Sequence, residues 1–315
     1  MQMTGVEQAG RMKRSSGFLG NLLERGIFFG GEGACRAVDS RRMVGERTGP
    51  LPSLSPFVSD WGLRRGGFVP MLAVEDQNLM SAMLFSCEYA TCAIPEAYRE
   101  LFHGQEEIVT SPEGWDCGAL NLAQGFAMRY RTPLVHGLHT RLLLDLDKNG
   151  DERWSRFSMK MPPAGRQKLA DREEVAYRSL LKQRISEDLR RYPSTIHMML
   201  RTMPDNAGRV ILESFAKGGF GEPIASAWRD QLLRDGFDVS HAREVTGSAL
   251  AAELCGQFPE DRYSLLRLKV SQSFFLEGRP LRWDLLKKKL FETLTTAIET
   301  AVPAVAAAAE TETGR

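Results

Sequence analysis

Residues 81–95 read SAMLFSCEYATCAIP: an apolar run, Ser81 to Cys87, empties into a polar loop, and the helix-like EAYRELF follows from Glu96. A short apolar run bounded in this way predicts a buried β-strand. In an open α/β sheet, the carboxyl ends of the strands are where ligands bind and chemistry occurs. Whether Glu88, Tyr89 and Cys92 stand at such a place depends on what the rest of the chain does.

Downstream the pattern alternates. CGALNLAQGFAMRY (117–130) has helical spacing, PLVHGLHTRLLLDLD (133–147) predicts one or two strands, and a long charged helix is predicted from Pro163 to Arg191. STIHMML and RVILESF predict central strands, followed by the helix IASAWRDQLLRDG. A weak strand near FDVSHAREV leads to the helix SALAAELCGQF, whose cap is Thr246 or Ser248. RYSLLRLKVSQSFFL predicts the last strand, and WDLLKKKLFETLTTAIET the closing helix. Strands separated by helices imply a largely parallel sheet covered on both faces. The expectation is one three-layer αβα domain over about residues 75–300.

The flanks differ from this domain. Residues 1–70 hold 13 of the 29 glycines, with 10 Lys/Arg against 6 Asp/Glu, and helical periodicity there is confined to FLGNLLERGIFF (18–29). Such a segment is expected to be poorly ordered. Its basic character makes it a candidate contact for a protein partner, although four acidic residues in the first 40 argue against a targeting peptide. A start at Met71 or Met80 is the plain alternative. Residues 301–315 are expected to form an alanine-rich disordered tail.

Bulk composition narrows the function classes. Lys plus Arg (41) nearly cancels Asp plus Glu (40), so no overall field draws the chain to nucleic acid or an anionic membrane. Five scattered cysteines, 35, 87, 92, 117 and 255, form no CxxC pair and suit a reducing compartment, hence a cytoplasmic expectation. The longest apolar candidate, LTTAIETAVPAVAAAA, is broken by Glu299 and Pro303 and falls short of the roughly 20 residues a span needs.

Five motifs then occur in a recognisable order: SCEYATCAIPEAYRELF, GWDCGALNLA, HTRLLLDLDKN with RFS after it, IHMM, and FPEDRYSLLRLKVSQ. Together they resemble the N-formylglutamate amidohydrolase family, itself similar in fold and site to the zinc carboxypeptidases, over about Met80 to Leu276. The resemblance implies a mixed, largely parallel carboxypeptidase-like sheet. It also implies a metal-dependent hydrolase that cuts an amide on a carboxylate-bearing substrate such as an N-acylated glutamate.

The residues depart from the family where its chemistry is concentrated. The family's first motif, close to S-C-E-H-G-G-N-x-I-P, carries a metal-binding His; here Tyr89 stands in its place, and Cys92 stands at the Asn. The family's I-H-S-F supplies a second metal-binding His, which His197 retains. In E-L-E-V-N-Q the second Glu resembles the carboxypeptidase general base; this chain has Arg267 and Lys269 at the two Glu positions and Ser271 at the Asn. Thr140, Arg141, Asp145, Asp147 and Lys148 keep much of the third motif.

These exchanges have a physical meaning. A hydrolytic zinc site needs about three protein ligands and an open position for water. A phenol, with a pKa of about 10, must lose a proton before it can bind a metal. Lys269 would be a cation, with a usual pKa of about 10.4, where a carboxylate is needed to take a proton from the metal-bound water. The expectation is a degenerate member with no cofactor, acting as a ligand-binding or scaffold protein. Its cleft would be unusually basic, built from Asp116, Arg141, Asp145, Lys148, His197 and Lys269, and open to a small carboxylate-bearing ligand.

Alternatives remain for several residues. An active amidohydrolase with zinc on rearranged ligands would draw on His197, Asp116 and one of Cys92, His136, His139 or Glu88. Arg141 reads as a carboxylate fork or as an ion-pair partner of Asp145 or Asp116, and Asp116 reads as a site residue or as the cap of the helix after Gly118. His197 reads as a metal ligand or as a satisfied core histidine. Cys87, Cys92 and Met198-Met199 read as core, and Lys287 to Lys289 as a solvated helix face.

Overall fold

A computed structural model describes residues 81–204, 208–214, 220–243, 247–276 and 280–313. The arm at 1–70, the two candidate start methionines and Thr246 lie outside the described residues. Six strands form one sheet: β1 (Ser81–Cys87), β2 (Leu134–His136), β3 (Ser194–Met203), β4 (Arg209–Ser214), β5 (Asp238–Ala242) and β6 (Tyr263–Ser271). Their order is β2-β1-β3-β6-β4-β5, parallel throughout except for the antiparallel pairing of β4 with β6. This is the mixed, largely parallel sheet that the alternating pattern implies.

The helices are α1 (Glu106–Thr110), α2 (Ala119–Tyr130), α3 (Pro163–Leu169), α4 (Val175–Arg191), α5 (Gly221–Arg234), α6 (Ala249–Gln257), α7 (Ser273–Leu276) and α8 (Pro280–Thr313). On one face of the sheet, α2, α5 and α8 bury Met83, Phe85, Met198, Leu200, Leu266 and Leu268. Each helix offers a stripe at a spacing of four: Leu122, Phe126 and Tyr130 on α2; Ile224, Trp228 and Leu232 on α5; Leu286, Leu290 and Leu294 on α8. Phe126 meets the ring of Phe291 edge-on at 4.7 Å and that of Trp228 at 6.3 Å. The Trp228 indole N–H, buried with them, donates to Thr293 Oγ1 at 2.9 Å, so this core leaves no indole donor stranded.

On the other face α4 and α6 cover Leu84, Met199 and Leu265 through Tyr177, Leu181, Ile185, Leu250 and Leu254. A π turn, Ala170–Glu174, joins α3 to α4 where the sequence predicts one unbroken helix. The extra residue in the turn rotates the stripe and carries Glu174 into the interior, where it pairs with Arg153 and Arg178. Of the Ser248 and Thr246 alternatives, Ser248 is the cap, its Oγ accepting from the Ala251 amide.

Three local readings change. EAYRELF is a 3-10 helix. RLLLDLD is a buried loop: β2 ends at His136, and Leu142, Leu143, Leu144 and Leu146 fill the core beneath the strand ends. An apolar run of strand length packs equally well as coil when its backbone finds partners, such as the Arg141 amide on the Gly114 carbonyl. Finally, α8 continues through the alanine-rich segment to Thr313, where the sequence places a disordered tail; alanine carries the least cost of any residue in a helix.

Candidate functional site

Because β1, β3 and β6 run parallel, their carboxyl ends reach the same edge of the sheet. Alternation along each strand then decides which side chains meet. Odd-numbered residues of β3 and β6 share one face, so Arg201, Arg267 and Lys269 emerge together near that edge; antiparallel β4 brings in Glu213, paired with Arg267 in the register. Beyond β1, Tyr89 turns into the same region. Gly137 passes so close to the Glu88 carbonyl oxygen that a Cβ there would lie 2.3 Å away, so only glycine permits this approach of β2 to the loop.

Tyr89 is buried against two arginines. The guanidinium carbons of Arg141 and Arg201 lie 3.8 and 3.7 Å from its ring centroid. At that distance both guanidiniums lie over the ring and not at its edge. Its hydroxyl donates to Asp145 Oδ1 at 2.6 Å, and burial holds the phenol well above its ordinary pKa. Tyr89 is therefore neutral and donates a hydrogen bond to a carboxylate, and a neutral phenol oxygen is a poor ligand for a divalent cation.

From this cluster a chain of charges crosses the rim. Arg141 Nη2 pairs with Asp116 Oδ1, and Arg201 Nε pairs with Asp116 Oδ2 at 2.5 Å. Arg201 and Arg267 both face Asp147 Oδ2, at 3.5 and 3.8 Å. Arg267 and Lys269 then share Glu213, the lysine at 2.7 Å. The expected basic cleft is thus corrected: four cations, Arg141, Arg201, Arg267 and Lys269, alternate with Asp116, Asp147 and Glu213, while Asp145 holds the phenol. Burial alone would discharge such groups, and the alternation of sign is what offsets it. Burial acts against the charge of Arg201, yet Asp116, Tyr89 and Asp147 keep its pKa well above the ordinary value.

Asp147 is the strained member. Burial, aided by the charge of Glu88, outweighs Arg201, Ser248 and Arg267 and raises its pKa to about 6. Its Oδ1 accepts from Ser248 Oγ and its carbonyl from the Ala249 amide, which fastens the start of α6 to the rim.

The other predicted residues lie elsewhere. His197 pairs in register with Leu84 and Leu265, four residues short of Arg201 and so about 13 Å deeper in the sheet. Its Nδ1 lies 2.7 Å from Tyr263 Oη and its Nε2 2.9 Å from Ser86 Oγ. Ser86 donates to Glu88 Oε1 at 2.8 Å, so the tautomer assigned by the network has Nε2 donating to Ser86 and Nδ1 accepting from Tyr263. Burial lowers the His197 pKa to about 3. Glu88 accepts in addition from Tyr177 at 3.0 Å. Lys148 turns outward to the Gly247 carbonyl at 3.0 Å, away from the rim. His136 and His139 each contact a neighbouring carbonyl, at 3.0 and 3.1 Å, and Cys92 packs in the apolar cluster with Leu84 and Leu142. Asp116 caps nothing with its carboxylate; only its backbone carbonyl meets the start of α2, at the Ala119 amide.

No family model matches the sequence, and no curated protein does. Solved structures do. A gene product of Agrobacterium tumefaciens superposes with a TM-score of 0.58 at 14% identity, covering 70% of this chain and 90% of that one. The N-formylglutamate amidohydrolase from Ralstonia eutropha JMP134 superposes with a TM-score of 0.53, also at 14% identity, covering 71% of this chain and 96% of that one. The chain has the fold of an N-formylglutamate amidohydrolase. At this identity the likeness extends to the amidohydrolase fold and no further.

The donor set does not fit the zinc that such a fold implies. Among the described residues, no three His, Cys, Asp or Glu side chains converge as metal ligands. Guanidinium and ammonium groups have no lone pair to give, and Asp116, Asp147 and Glu213 each face a cation while Asp145 accepts from Tyr89. No described helix is long and apolar enough to cross a membrane.

Sequence reasoning missed Arg201 and Glu213. Both had a signal: each is a charged residue inside an otherwise apolar strand pattern, STIHMMLRTM and RVILES. A charge in a buried strand requires a partner, and counting alternation from His197 places Arg201 on the site face.

Proposed function

We propose that this chain is a metal-independent, non-hydrolytic protein built on the amidohydrolase fold, and that it serves in the cytoplasm as a ligand-binding or scaffold protein. The observation that carries this reading is the pair of guanidiniums, Arg141 and Arg201, held over the Tyr89 ring, with Asp145 accepting a hydrogen bond from the phenol. Water activation by a metal requires an open position beside a base. Here Lys269, at the position where the family resemblance puts the base, and its register partner Arg201 stand at the carboxyl edge of β6 and β3, and both are ion-paired. A divalent ion beside those two cations meets repulsion on two sides.

Metal analysis tests the reading. After incubation with excess zinc and removal of free ion, the full chain should hold below about a tenth of an equivalent, with no release of formate from N-formylglutamate. Near-stoichiometric zinc, or turnover that a chelator abolishes, overturns it.

A further inference from the structure

We propose that the groove between α2 and α8 is the contact surface for a second copy of this chain, the two copies being related by a twofold axis. The surface lies outside the charged rim, so the inference stands whichever way the metal analysis falls.

The two helices lie side by side. The Trp283 indole and the Lys287 ammonium donate to Asn121 Oδ1 at 2.9 and 3.1 Å, and the Tyr130 hydroxyl donates to the Phe291 carbonyl at 3.2 Å. Gly125 lets the Phe291 ring lie against α2, since a Cβ there would come within 2.8 Å of its Cζ. Phe291 then lines a hollow of about 380 Å³ with Arg129, Asp284, Lys287, Lys288 and Glu292. The ring and the aliphatic stems of the three cations make the hollow apolar, while their charged ends stand at its margin.

Beside the hollow stand side chains of the kind that would fill it. Five large apolar residues are exposed among the described ones, and the two most exposed are Met128 on α2, at 70%, and Leu285 on α8, at 58%. Helical spacing puts Met128 on the stripe of Asn121 and Gly125, which borders α8. Leu285 precedes Lys288 and Glu292 of the groove wall by three and seven residues, and so shares their side of α8. A chain cannot fold these side chains into the hollow beside them. A second copy turned by half a revolution brings its own to that hollow and receives the first copy's in return, which is the self-complementary contact of a twofold pair.

The charges select the same occupant. Arg129 has no carboxylate partner among the described residues. Asp284 and Glu292 pair with Lys287 and Lys288 at 3.0 and 3.7 Å on the exposed surface. A nucleic acid or an anionic membrane brought to this groove would meet both carboxylates. A surface carrying both signs is matched by one that presents them in reverse order, and the twofold copy does so, with Arg129 opposing the partner's Asp284 and the partner's Glu292. Each helix contributes about three turns, a small interface, so the dissociation constant should be about 1–100 µM.

Sedimentation equilibrium on the full chain tests the proposal. Over about 1 to 300 µM the monomer should pass to a dimer and stop there. Met128→Asp with Leu285→Asp should weaken the dimer at least about tenfold and leave the melting temperature unchanged, because both side chains are exposed. Leu233→Asp, the same change at an exposed leucine of α5, should leave the dimer as it was. Arg129→Glu should weaken self-association, and so should Asp284→Lys with Glu292→Lys. A mixture of those two variants should pair more tightly than either does with itself, because both charge contacts of the mixed pair become attractive. Monomer at every concentration, growth past the dimer, a dimer indifferent to Met128 and Leu285, equal weakening by Leu233→Asp, or no preference for the mixed pair overturns the proposal.

Discussion

The two faces of the sheet solve opposite problems with the same strands. On the α2, α5 and α8 side, Met83, Phe85, Met198, Leu200, Leu266 and Leu268 are held by shape, and each layer tolerates its neighbours because none carries charge. On the other side the strands begin apolar, with Leu84, Met199 and Leu265, and end in Arg201, Arg267 and Lys269. There the interior is held by pairing, and each charge is tolerable only while its neighbour carries the opposite sign. Truncation on the first face should leave a void; truncation on the second should leave a charge.

The largest effect tests the apolar face. Phe126→Ala removes the ring that Phe85, Trp228 and Phe291 surround, and should cost about 3–5 kcal/mol by denaturant unfolding, with the rim chemistry unchanged. A cost below about 1 kcal/mol would mean that this face is loosely packed.

On the charged face, Glu213→Ala should cost about 2–4 kcal/mol, because Arg267 stays buried while Lys269, partly exposed, recovers some solvation. Glu213→Leu combined with Arg267→Met should cost less than the single change. Additive losses in the double-mutant cycle would show that the rim charges do not act as a chain.

Asp147 sharpens the contrast through pH. Its folded pKa, about 6, lies above its ordinary 3.8, so the native state binds the proton more tightly than the unfolded chain. This group's contribution to stability is therefore fully present below about pH 4 and is lost as pH rises through 6. Asp147→Asn, locked in the neutral form, should be more stable than the parent by about 1–3 kcal/mol at pH 7.5 and should lack the falling slope between pH 4 and 6. A destabilised variant with an unchanged slope would show that pairing to Arg201 and Arg267 outweighs burial.

The smallest expected effect is none. His197, with its pKa lowered to about 3, should show no imidazole titration by NMR between pH 5 and 8. A midpoint near 6.5 would place the ring in contact with water and return it to the site.

The regular elements were readable because their signals are local. SAMLFSC, STIHMML and RYSLLRLKVSQ present strands buried on both faces, and the stripes of α2, α5 and α8 repeat within a few turns. RLLLDLD misled because an apolar run reports burial and says nothing of hydrogen bonding. At the site, Tyr89 and Lys269 were legible as changes of chemical type at positions a resemblance picks out. The neutrality of the rim was not legible, since Glu213 arrives from an antiparallel strand 54 residues before Arg267. For His197 the sequence left the metal-ligand and core readings open, because sequence records order along β3 and not the level at which its neighbours end; the structure makes it a hydrogen-bonded core histidine.

The sequence by itself determined the layers and the parallel sense of most strands, and it holds a phenol and an ammonium group at positions where the family resemblance implies an imidazole and a carboxylate. The first two follow from periodicity, which is a property of neighbouring residues. Only the tertiary structure decided that the rim is charge-balanced, that two guanidiniums lie over the Tyr89 ring and that Asp116 pairs with both of those arginines. Each of these depends on side chains from separate strands and loops meeting within a few ångströms, and electrostatic energy at that range is set by distance and burial, neither of which is written in the order of residues.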